Sequence, residues 1–331
     1  MRLVLSPRFL STSAVSALAV CVFAACGTTT AASSTAAGAD TSGAADTTTG
    51  DAVSADVAAA DVDQGPQPAA PKAYNGTCPD LTLGGKVTIT SGGQKRTAYV
   101  SLPDDYSAPG NSLLFLWHGL GDSGSNFSAA FGAPGIAKQN NAVVITPDNC
   151  CVKGLSCCAQ VNGWAFLDAT GGADSQLFDD LLSCATQQMS IDTKRVYTAG
   201  FSAGALWTTW LILNRSEYLA AAAPFSGGVG LIDYITPFWK IPVLGSWGGD
   251  TDIFAGYITF YQYMQDFIAD LRKNDDFVIA CNHGLGHTVP PEGPDYAVDF
   301  LFRNTFGKTA NPYGAGAALP SVFPSYCTIA P

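Results

Sequence analysis

Six short apolar segments recur between residues 113 and 280, and they constrain the fold of this 331-residue chain more than any other feature. Each has four or five residues, which is the length of a buried strand, and stretches with helical patterns lie between several of them. They are residues 113–117, 142–146, 196–199, 221–224, 243–246 and 277–280. Strands that alternate with helices pair in parallel and are covered by helices on both faces. The sequence therefore predicts an α/β fold with a mainly parallel sheet.

The elements around these segments are predicted from turn signals and residue spacing. Residues 86–90 and 96–102 flank the polar segment 91–95, which predicts an N-terminal antiparallel hairpin. Apolar side chains in residues 257–272 recur at the spacing of three and four residues that is typical of a buried helix face. Helices are predicted at 175–189, with Asp174 as the N-cap, and at 203–213, 257–272 and 294–302.

The first 26 residues have the pattern of an export signal. Arg2 and Arg8 precede an apolar stretch, residues 14–25, that is too short to span a membrane comfortably. It ends in F-A-A-C, and small residues before a cysteine resemble a bacterial lipobox, in which that cysteine (here Cys26) is lipidated and becomes the mature N-terminus. An ordinary signal peptide cut nearby is the alternative. The lipobox and the ordinary signal peptide both predict an exported protein, extracellular or periplasmic. The lipobox also predicts a lipid anchor in a bacterial membrane.

Residues 27–72 form a second segment with its own composition. They contain no aromatic residue, Leu, Ile or Met, and consist mostly of Ala, Thr, Ser, Gly and Asp. Such a segment cannot bury enough apolar surface to offset the entropy lost on ordering. We therefore predict a disordered linker at 27–72 and a single catalytic domain at 73–331.

Charge and cysteine usage narrow the possible partners and the compartment. The net charge of −11, from 27 acidic and 16 basic residues, argues against binding to nucleic acid, because phosphate contacts need clustered Lys and Arg. Eight of the ten cysteines lie beyond the signal region, so an exported chain could form up to four disulfides. The cluster C-C-x5-C-C at 150–158 contains no histidine, which favours disulfides over a metal site, and the spacing does not predict their pairing.

The sharpest chemical signal is the sequence G-F-S-A-G at residues 200–204, which has the pattern G-x-S-x-G. The strand-like R-V-Y-T-A-G precedes Ser202, and the helix-forming A-L-W-T-T-W-L-I-L follows Gly204. A nucleophilic serine on a strained strand-to-helix turn needs small residues two positions away on either side, because bulky groups there would collide. The N-terminus of the helix favours developing negative charge. We therefore predict that Ser202 is a nucleophile rather than part of an ordinary turn.

Three histidines are candidates for the general base. His118 follows the predicted strand 113–117 directly, in the sequence W-H-G-L-G. His287 follows Gly286 on a loop after the last predicted strand, so its imidazole can reach the edge of the sheet. It is preferred to His283, which we expect to form hydrogen bonds within the same loop.

Four motifs together resemble one family. W-H-G-L-G, R-V-Y-T-A-G-F-S-A-G, G-G-D-T-D and G-H-T-V-P are similar to segments of the polyhydroxybutyrate depolymerase and feruloyl esterase branch of exported α/β-hydrolases, over roughly residues 85–305. G-x-S-x-G is common to the whole superfamily, whereas R-V-Y-x-x-G-x-S and G-H-T-x-P are more specific. The second aspartate of G-G-D-T-D and the paired cysteines at 150–158 depart from the family pattern.

The resemblance implies the α/β-hydrolase fold and a triad in the chain order serine, acid, histidine, which excludes His118 as the base. Ser202 and His287 are then the nucleophile and the base. Asp252 is the expected acid, since the family places the acid a few residues after the glycine. Asp250 stays the alternative, with a turn-capping role if Asp252 is the acid.

The same fold holds the oxyanion with two backbone N–H groups. The resemblance assigns them to Leu120, in the loop after the strand that ends in W-H-G, and to Ala203, directly after the nucleophile. In this interpretation His118 shapes the oxyanion loop and takes no proton.

The sequence thus predicts an exported serine carboxylic-ester hydrolase that acts through an acyl-enzyme, on a polyester or on feruloyl or acetyl esters of the plant cell wall. A serine peptidase and a non-catalytic, surface-anchored binding protein are the alternatives. The sequence has no P-loop, dinucleotide fingerprint or metal-ligand set, so neither a cofactor nor a metal is expected. The expected partners are an ester substrate, no nucleic acid, and a membrane only through the lipid at Cys26.

Overall fold

The computed structural model describes residues 65–149 and 163–331. The predicted signal peptide at 1–26 with its lipidation site Cys26, most of the 27–72 linker, and the paired cysteines at 150–158 lie outside the described residues. Within the described ranges, every helix is too short or too polar to cross a membrane.

The apolar segments form the centre of a nine-stranded sheet. The strands of the described residues are β1 (Gly85–Ser91), β2 (Gln94–Ser101), β3 (Asn111–Trp117), β4 (Ala142–Pro147), β5 (Ile191–Phe201), β6 (Ala221–Phe225), β7 (Val243–Trp247), β8 (Ile253–Phe254), β9 (Ile258–Thr259), β10 (Val278–Asn282) and β11 (Cys327–Ile329). The large sheet has the order β1-β2-β4-β3-β5-β6-β7-β10-β11, and β8 pairs with β9 separately. The six strands from β4 to β10 in this order pair in parallel, whereas β1, β2 and β11 pair antiparallel with their neighbours. The predicted mainly parallel sheet is confirmed.

The N-terminal hairpin of β1 and β2 is also present. Its turn consists of Gly92 and Gly93, whose φ angles are 57° and 76°. Two consecutive residues in the left-handed region make the tight turn that matches the twist of a hairpin, and glycine adopts this conformation without a steric penalty.

Helices cover both faces of the sheet, as predicted. They are α1 (Gly124–Ala130), α2 (Ala133–Gln139), α3 (Gly172–Gln188), α4 (Ala203–Asn214), α5 (Phe260–Lys273) and α6 (Gly293–Arg303). Side chains of β3 alternate between two cores: Phe115 packs in the core that includes α3, α4 and α5, and Leu114 in the core that includes α1, α2 and α6. The four predicted helices are all present. Helices α1 and α2 were not predicted, because each has seven residues, contains glycine and lacks a full apolar repeat.

The prediction that Asp174 caps α3 is wrong. The helix begins at Gly172, with Gly171 at the N-cap in the left-handed conformation (φ 69°), and Asp174 lies in the first turn. Its buried carboxylate accepts a hydrogen bond of 2.6 Å from Arg96 Nη2 and one of 2.8 Å from the N–H of Ala165. Burial raises the pKa of Asp174, while the charge of Arg96 acts in the opposite direction. The carboxylate therefore joins α3 to β2.

Helix α5 begins three residues later than predicted. Residues 253–259 form the short hairpin of β8 and β9, with Ala255 and Gly256 at positive φ in its turn. This hairpin follows Asp252 directly in the chain and leads into α5.

The last residues of the predicted linker contact the domain. The N–H of Ala69 donates to the carbonyl of Glu217 at 2.9 Å, and Lys72 Nζ lies 2.7 Å from Asp179 Oδ2. Contacts of the folded domain thus start before residue 73.

Two disulfides are present in the described residues. Cys78–Cys184 joins the segment before β1 to α3, and Cys281–Cys327 joins β10 to β11. Their sequence separations are 106 and 46 residues. Both bonds close long loops, so each removes much chain entropy from the unfolded state.

We expect each of these disulfides to contribute to stability. Replacing either cysteine pair with alanine should lower the free energy of unfolding by about 4–5 kcal/mol, the value that loop-closure entropy gives for loops of this length. The wild type in strong reductant should unfold at a lower urea concentration than either double variant without reductant. An unchanged unfolding midpoint in reductant would contradict the expectation.

Candidate active site

Ser202 lies on a sharp turn between β5 and α4. Its φ and ψ angles are 56° and −120°, a strained conformation for a residue with a side chain. The turn is held by the N–H of Ser202, which donates to the carbonyl of Phe225 on the neighbouring strand at 3.0 Å. Such a turn brings the hydroxyl to the carboxyl edge of the sheet and to the N-terminus of α4.

The two glycines of G-x-S-x-G are required by close backbone packing. A Cβ atom at Gly200 would lie 2.3 Å from the carbonyl oxygen of Gly204, and one at Gly204 would lie 2.0 Å from the carbonyl oxygen of Trp117. Both distances are far below van der Waals contact. Glycine at both positions therefore allows the helix after Ser202 to pack directly against the backbone of β3 and β5.

The structure brings Ser202, His287 and Asp252 together in one chain of hydrogen bonds. His287 Nε2 lies 2.9 Å from Ser202 Oγ, and His287 Nδ1 lies 2.7 Å from Asp252 Oδ1. Because a carboxylate accepts hydrogen bonds, Nδ1 carries a proton, which leaves Nε2 as the ring nitrogen that can accept the serine proton. Asp252 is fully buried, and its second oxygen accepts from the N–H of Gly248 at 2.9 Å and from the hydroxyl of Ser226 at 2.7 Å.

The alternative acid and base do not join this chain. Asp250 is exposed on the 3₁₀ turn Gly249–Thr251. His283 is buried, and its Nδ1 accepts from the N–H of Leu285 at 3.2 Å, so it forms hydrogen bonds within its own loop. Burial lowers the pKa of His283 and disfavours its charged form.

His118 is a fixed, neutral part of the loop after β3. Its Nδ1 donates to the carbonyl of Gly119 at 2.8 Å, and its Nε2 accepts from the N–H of Asn149 at 3.2 Å. The indole of Trp164 donates to the His118 carbonyl at 2.9 Å. Burial lowers the pKa of His118, which keeps the ring uncharged. These contacts agree with the loop-shaping role expected from the sequence.

The two residues expected to hold the oxyanion lie beside Ser202. A Cβ atom at Gly119 would lie 3.5 Å from the Cβ of Ser202, so the loop that carries Leu120 passes next to this serine. Ala203 is the first residue of α4, where backbone N–H groups have no partner within the helix. Both side chains approach the same place, since a Cβ atom at Gly163 would lie 3.7 Å from Leu120 and 3.9 Å from Ala203.

Aromatic rings enclose the imidazole of His287. The ring of Phe260 stacks nearly parallel to it, with centroids 4.6 Å apart, and those of Phe201 and Phe254 lie at 4.9 and 5.8 Å. Phe254 is 39% exposed, so this ring borders both the imidazole and solvent. Neither Phe254 nor Phe260 was predicted to lie at the site. Their nearest signal is that both follow Asp252 within eight residues, on the hairpin and at the start of α5.

Metal-ligating side chains do not cluster in the described part of the chain. Over residues 65–149 and 163–331, groups of three or more His, Cys, Asp or Glu that could hold a metal ion are absent. The arrangement of a serine, an imidazole and a buried carboxylate is suited to nucleophilic acyl transfer.

Comparisons with curated proteins find esterases. The chain is 31% identical over 171 residues to feruloyl esterase D of Neurospora crassa, a match that covers 48% of this chain and 54% of that protein. It is 27% identical over 180 residues to a bifunctional acetylxylan esterase/xylanase of Neocallimastix patriciarum, covering 54% of this chain and 24% of that protein. The chain therefore spans about half, or less, of the length of these curated relatives. No protein-family model matches the sequence.

A solved structure shares its fold with most of this chain. The crystal structure of native sOPH aligns with a TM-score of 0.59 at 20% identity, covering 78% of this chain and 97% of that one. This likeness agrees with the strand order and with the serine turn between β5 and α4. The chain therefore has the α/β-hydrolase fold, and the segment that matches curated proteins is similar to esterases.

Proposed function

We propose that this protein is a serine carboxylic-ester hydrolase with Ser202 as nucleophile, His287 as general base and Asp252 as the acid that orients it. One observation carries the proposal, namely the continuous chain of hydrogen bonds from Ser202 Oγ through the imidazole to a fully buried carboxylate. The similarity of the chain to esterases supports the choice of an ester substrate.

In the first half-reaction, Ser202 Oγ attacks the ester carbonyl carbon while His287 Nε2 takes the hydroxyl proton. Asp252 holds the Nδ1–H tautomer and stabilises the imidazolium that forms. The N–H groups of Leu120 and Ala203 hold the negative charge that develops on the carbonyl oxygen. The imidazolium then gives its proton to the departing alcohol, and the acyl group stays on Ser202.

The second half-reaction uses the same groups with water. His287 Nε2 removes a proton from a water molecule, whose oxygen attacks the acyl-enzyme carbonyl. Collapse of this intermediate releases the carboxylic acid, and the proton returns to Ser202. The ring contacts of His287 with Phe201, Phe254 and Phe260 hold the imidazole in place through both half-reactions.

Exposed apolar side chains around the site favour an ester with an apolar acyl or alcohol group. Leu120, on the oxyanion loop, is 46% exposed, and Ile253 and Phe254, directly after Asp252, are each 39% exposed. A feruloyl group is flat and aromatic and would pack against such side chains better than an acetyl group. We therefore propose feruloyl-type esters as the preferred substrates, with acetyl esters and polyesters as further candidates.

Three substrates and one probe test the proposal with the purified protein. We expect hydrolysis of methyl ferulate and p-nitrophenyl butyrate, and a fluorophosphonate probe should form one covalent adduct, located at Ser202 by peptide mass spectrometry. Turnover of a peptide p-nitroanilide without ester turnover would instead identify a peptidase. Absence of both turnover and adduct would favour a non-catalytic binding protein.

We also propose that the protein is exported and anchored by lipid at Cys26. The disulfides Cys78–Cys184 and Cys281–Cys327 suit an oxidising compartment. We expect the mature protein to fractionate with membranes and to carry acyl mass on an N-terminal cysteine. Cys26→Ala should lose the lipid, whereas the control Cys21→Ala should keep it. A mature mass without acyl groups would contradict the anchor and leave export standing.

A further inference from the structure

A second serine with positive φ lies one strand away from Ser202. Ser226 follows β6 as Ser202 follows β5, and Phe201 and Phe225, the residues before them, are register partners in the parallel pair. The φ angle of each serine is 56°. Ser226 is fully buried, and its hydroxyl contacts Asp252 rather than His287, so Ser226 has no direct role in attack on substrate.

The strained backbone of Ser226 implies that its side chain has a task. Positive φ is unfavourable for any residue with a Cβ atom and free of this penalty for glycine. Glycine occupies the next two positions, and Gly228 also has positive φ. An outlier of this kind is a reason to ask what the side chain contributes.

The hydroxyl of Ser226 donates to Asp252 Oδ2 at 2.7 Å. The N–H of Gly248 donates to the same oxygen at 2.9 Å, and the other oxygen, Oδ1, contacts His287 Nδ1 at 2.7 Å. The backbone of Ser226 is itself fixed, because its N–H donates to the carbonyl of Ser246 on β7 at 2.8 Å. The backbone of Ser226 is thus bonded to β7, the strand that leads to Asp252. Its hydroxyl contacts the carboxylate oxygen that does not contact the imidazole.

We propose that Ser226 is a positioning residue of the triad, whose hydroxyl fixes the plane of the Asp252 carboxylate so that Oδ1 stays directed at His287 Nδ1. The inference rests on the proposed function, since it assigns Asp252 as the acid. A buried carboxylate with one oxygen held by a single N–H could rotate about its Cβ–Cγ bond. The second donor removes that freedom while the imidazole gains and loses its proton.

The test replaces Ser226 in the full chain with alanine and with glycine. Ser226→Ala removes the hydroxyl and keeps the backbone strain, whereas Ser226→Gly removes both. We expect kcat for p-nitrophenyl butyrate to fall about 10- to 100-fold in both variants with little change in KM, the size of effect expected for one lost hydrogen bond to a charged group. Ser112→Ala is the matched control, because this buried serine lies near the start of β3, whereas Ser202 follows the end of the parallel strand β5, and its hydroxyl accepts from Arg195 Nε at 2.8 Å. Its kcat should stay within about twofold of wild type.

A double-mutant cycle separates positioning from a general structural role. If Ser226 acts through the carboxylate alone, Ser226→Ala in an Asp252→Asn background should lower kcat no further. An equal fold-loss in both backgrounds would overturn the proposal, and so would a single variant with unchanged kcat. Thermal unfolding of each variant shows whether the fold is kept.

An NMR measurement decides the proposal independently of turnover. The proton on His287 Nδ1, hydrogen-bonded to a carboxylate, gives a low-field resonance that should shift in Ser226→Ala and stay in place in Ser112→Ala. If the wild type hydrolyses no ester, the proposed function has failed, and this resonance still reports whether Ser226 controls the contact between Asp252 and His287. An unchanged resonance in Ser226→Ala overturns the positioning role.

Discussion

Ser202→Ala is expected to lower kcat for p-nitrophenyl butyrate by about 10⁴- to 10⁶-fold, the range seen when a nucleophile of this type is removed. In the proposed mechanism this hydroxyl supplies the attacking oxygen, and no other described hydroxyl contacts His287 Nε2. Alanine has the same backbone requirements as serine at this turn, so the thermal unfolding temperature should stay close to that of the wild type. Turnover and unfolding are both measured on the same purified preparations.

A remote serine provides the control for Ser202. Ser107 is exposed, and its hydroxyl contacts Asp105 at 2.6 Å, so Ser107→Ala should retain wild-type turnover. Wild-type turnover in Ser202→Ala would assign the nucleophile to another residue. A large fall in the unfolding temperature of Ser202→Ala would mean that lost structure, rather than lost chemistry, explains its inactivity.

Asp252→Asn is expected to lower kcat by about 10⁴-fold, as the same change does in serine proteases with this triad. An amide group in place of the carboxylate cannot stabilise an imidazolium, and its NH₂ would oppose the proton on His287 Nδ1 and favour the wrong tautomer. Asp250→Asn is the matched control. Asp250 lies two residues away but is exposed, so its variant should stay within about twofold of wild type. The reverse ranking of the two variants would transfer the acid role to Asp250.

The features that local patterns encode were predicted from the sequence. The period and length of the apolar segments predicted the parallel strands. The glycine spacing around Ser202 predicted the sharp turn, where close backbone contacts leave no room for a side chain at Gly200 or Gly204. Asp252 and His287 could be named because the family pattern fixes their order along the chain. The structure brings both to Ser202, while the exposed Asp250 and the loop-bound His283 stay apart from it.

The features that depend on distant partners were not predicted. Asp174 has the sequence signal of an N-cap, but its carboxylate pairs with Arg96, 78 residues earlier, and a single sequence gives no indication of that contact. Residues 257–259, which include β9, were assigned to the predicted helix 257–272, because apolar spacing continues from Tyr257 into α5. Ser226 stands in the sequence P-F-S-G-G, which shows neither its positive φ nor its contact with Asp252.

The register of the central strands determines whether Ser202, Ser226 and Asp252 lie within hydrogen-bonding distance of their partners. Phe201 pairs with Phe225, and Phe225 pairs with Ser246. Strand pairing therefore fixes the relative positions of Ser202, Ser226 and the loop to Asp252 across three adjacent strands. A slip of one residue between any two of these strands would displace one member by about 3.3 Å, more than the length of the hydrogen bonds involved. An insertion or deletion inside β5, β6 or β7 would therefore move Ser202 away from Asp252, whereas exchange of a turn outside the site, such as Gly92–Gly93 between β1 and β2, would keep this alignment.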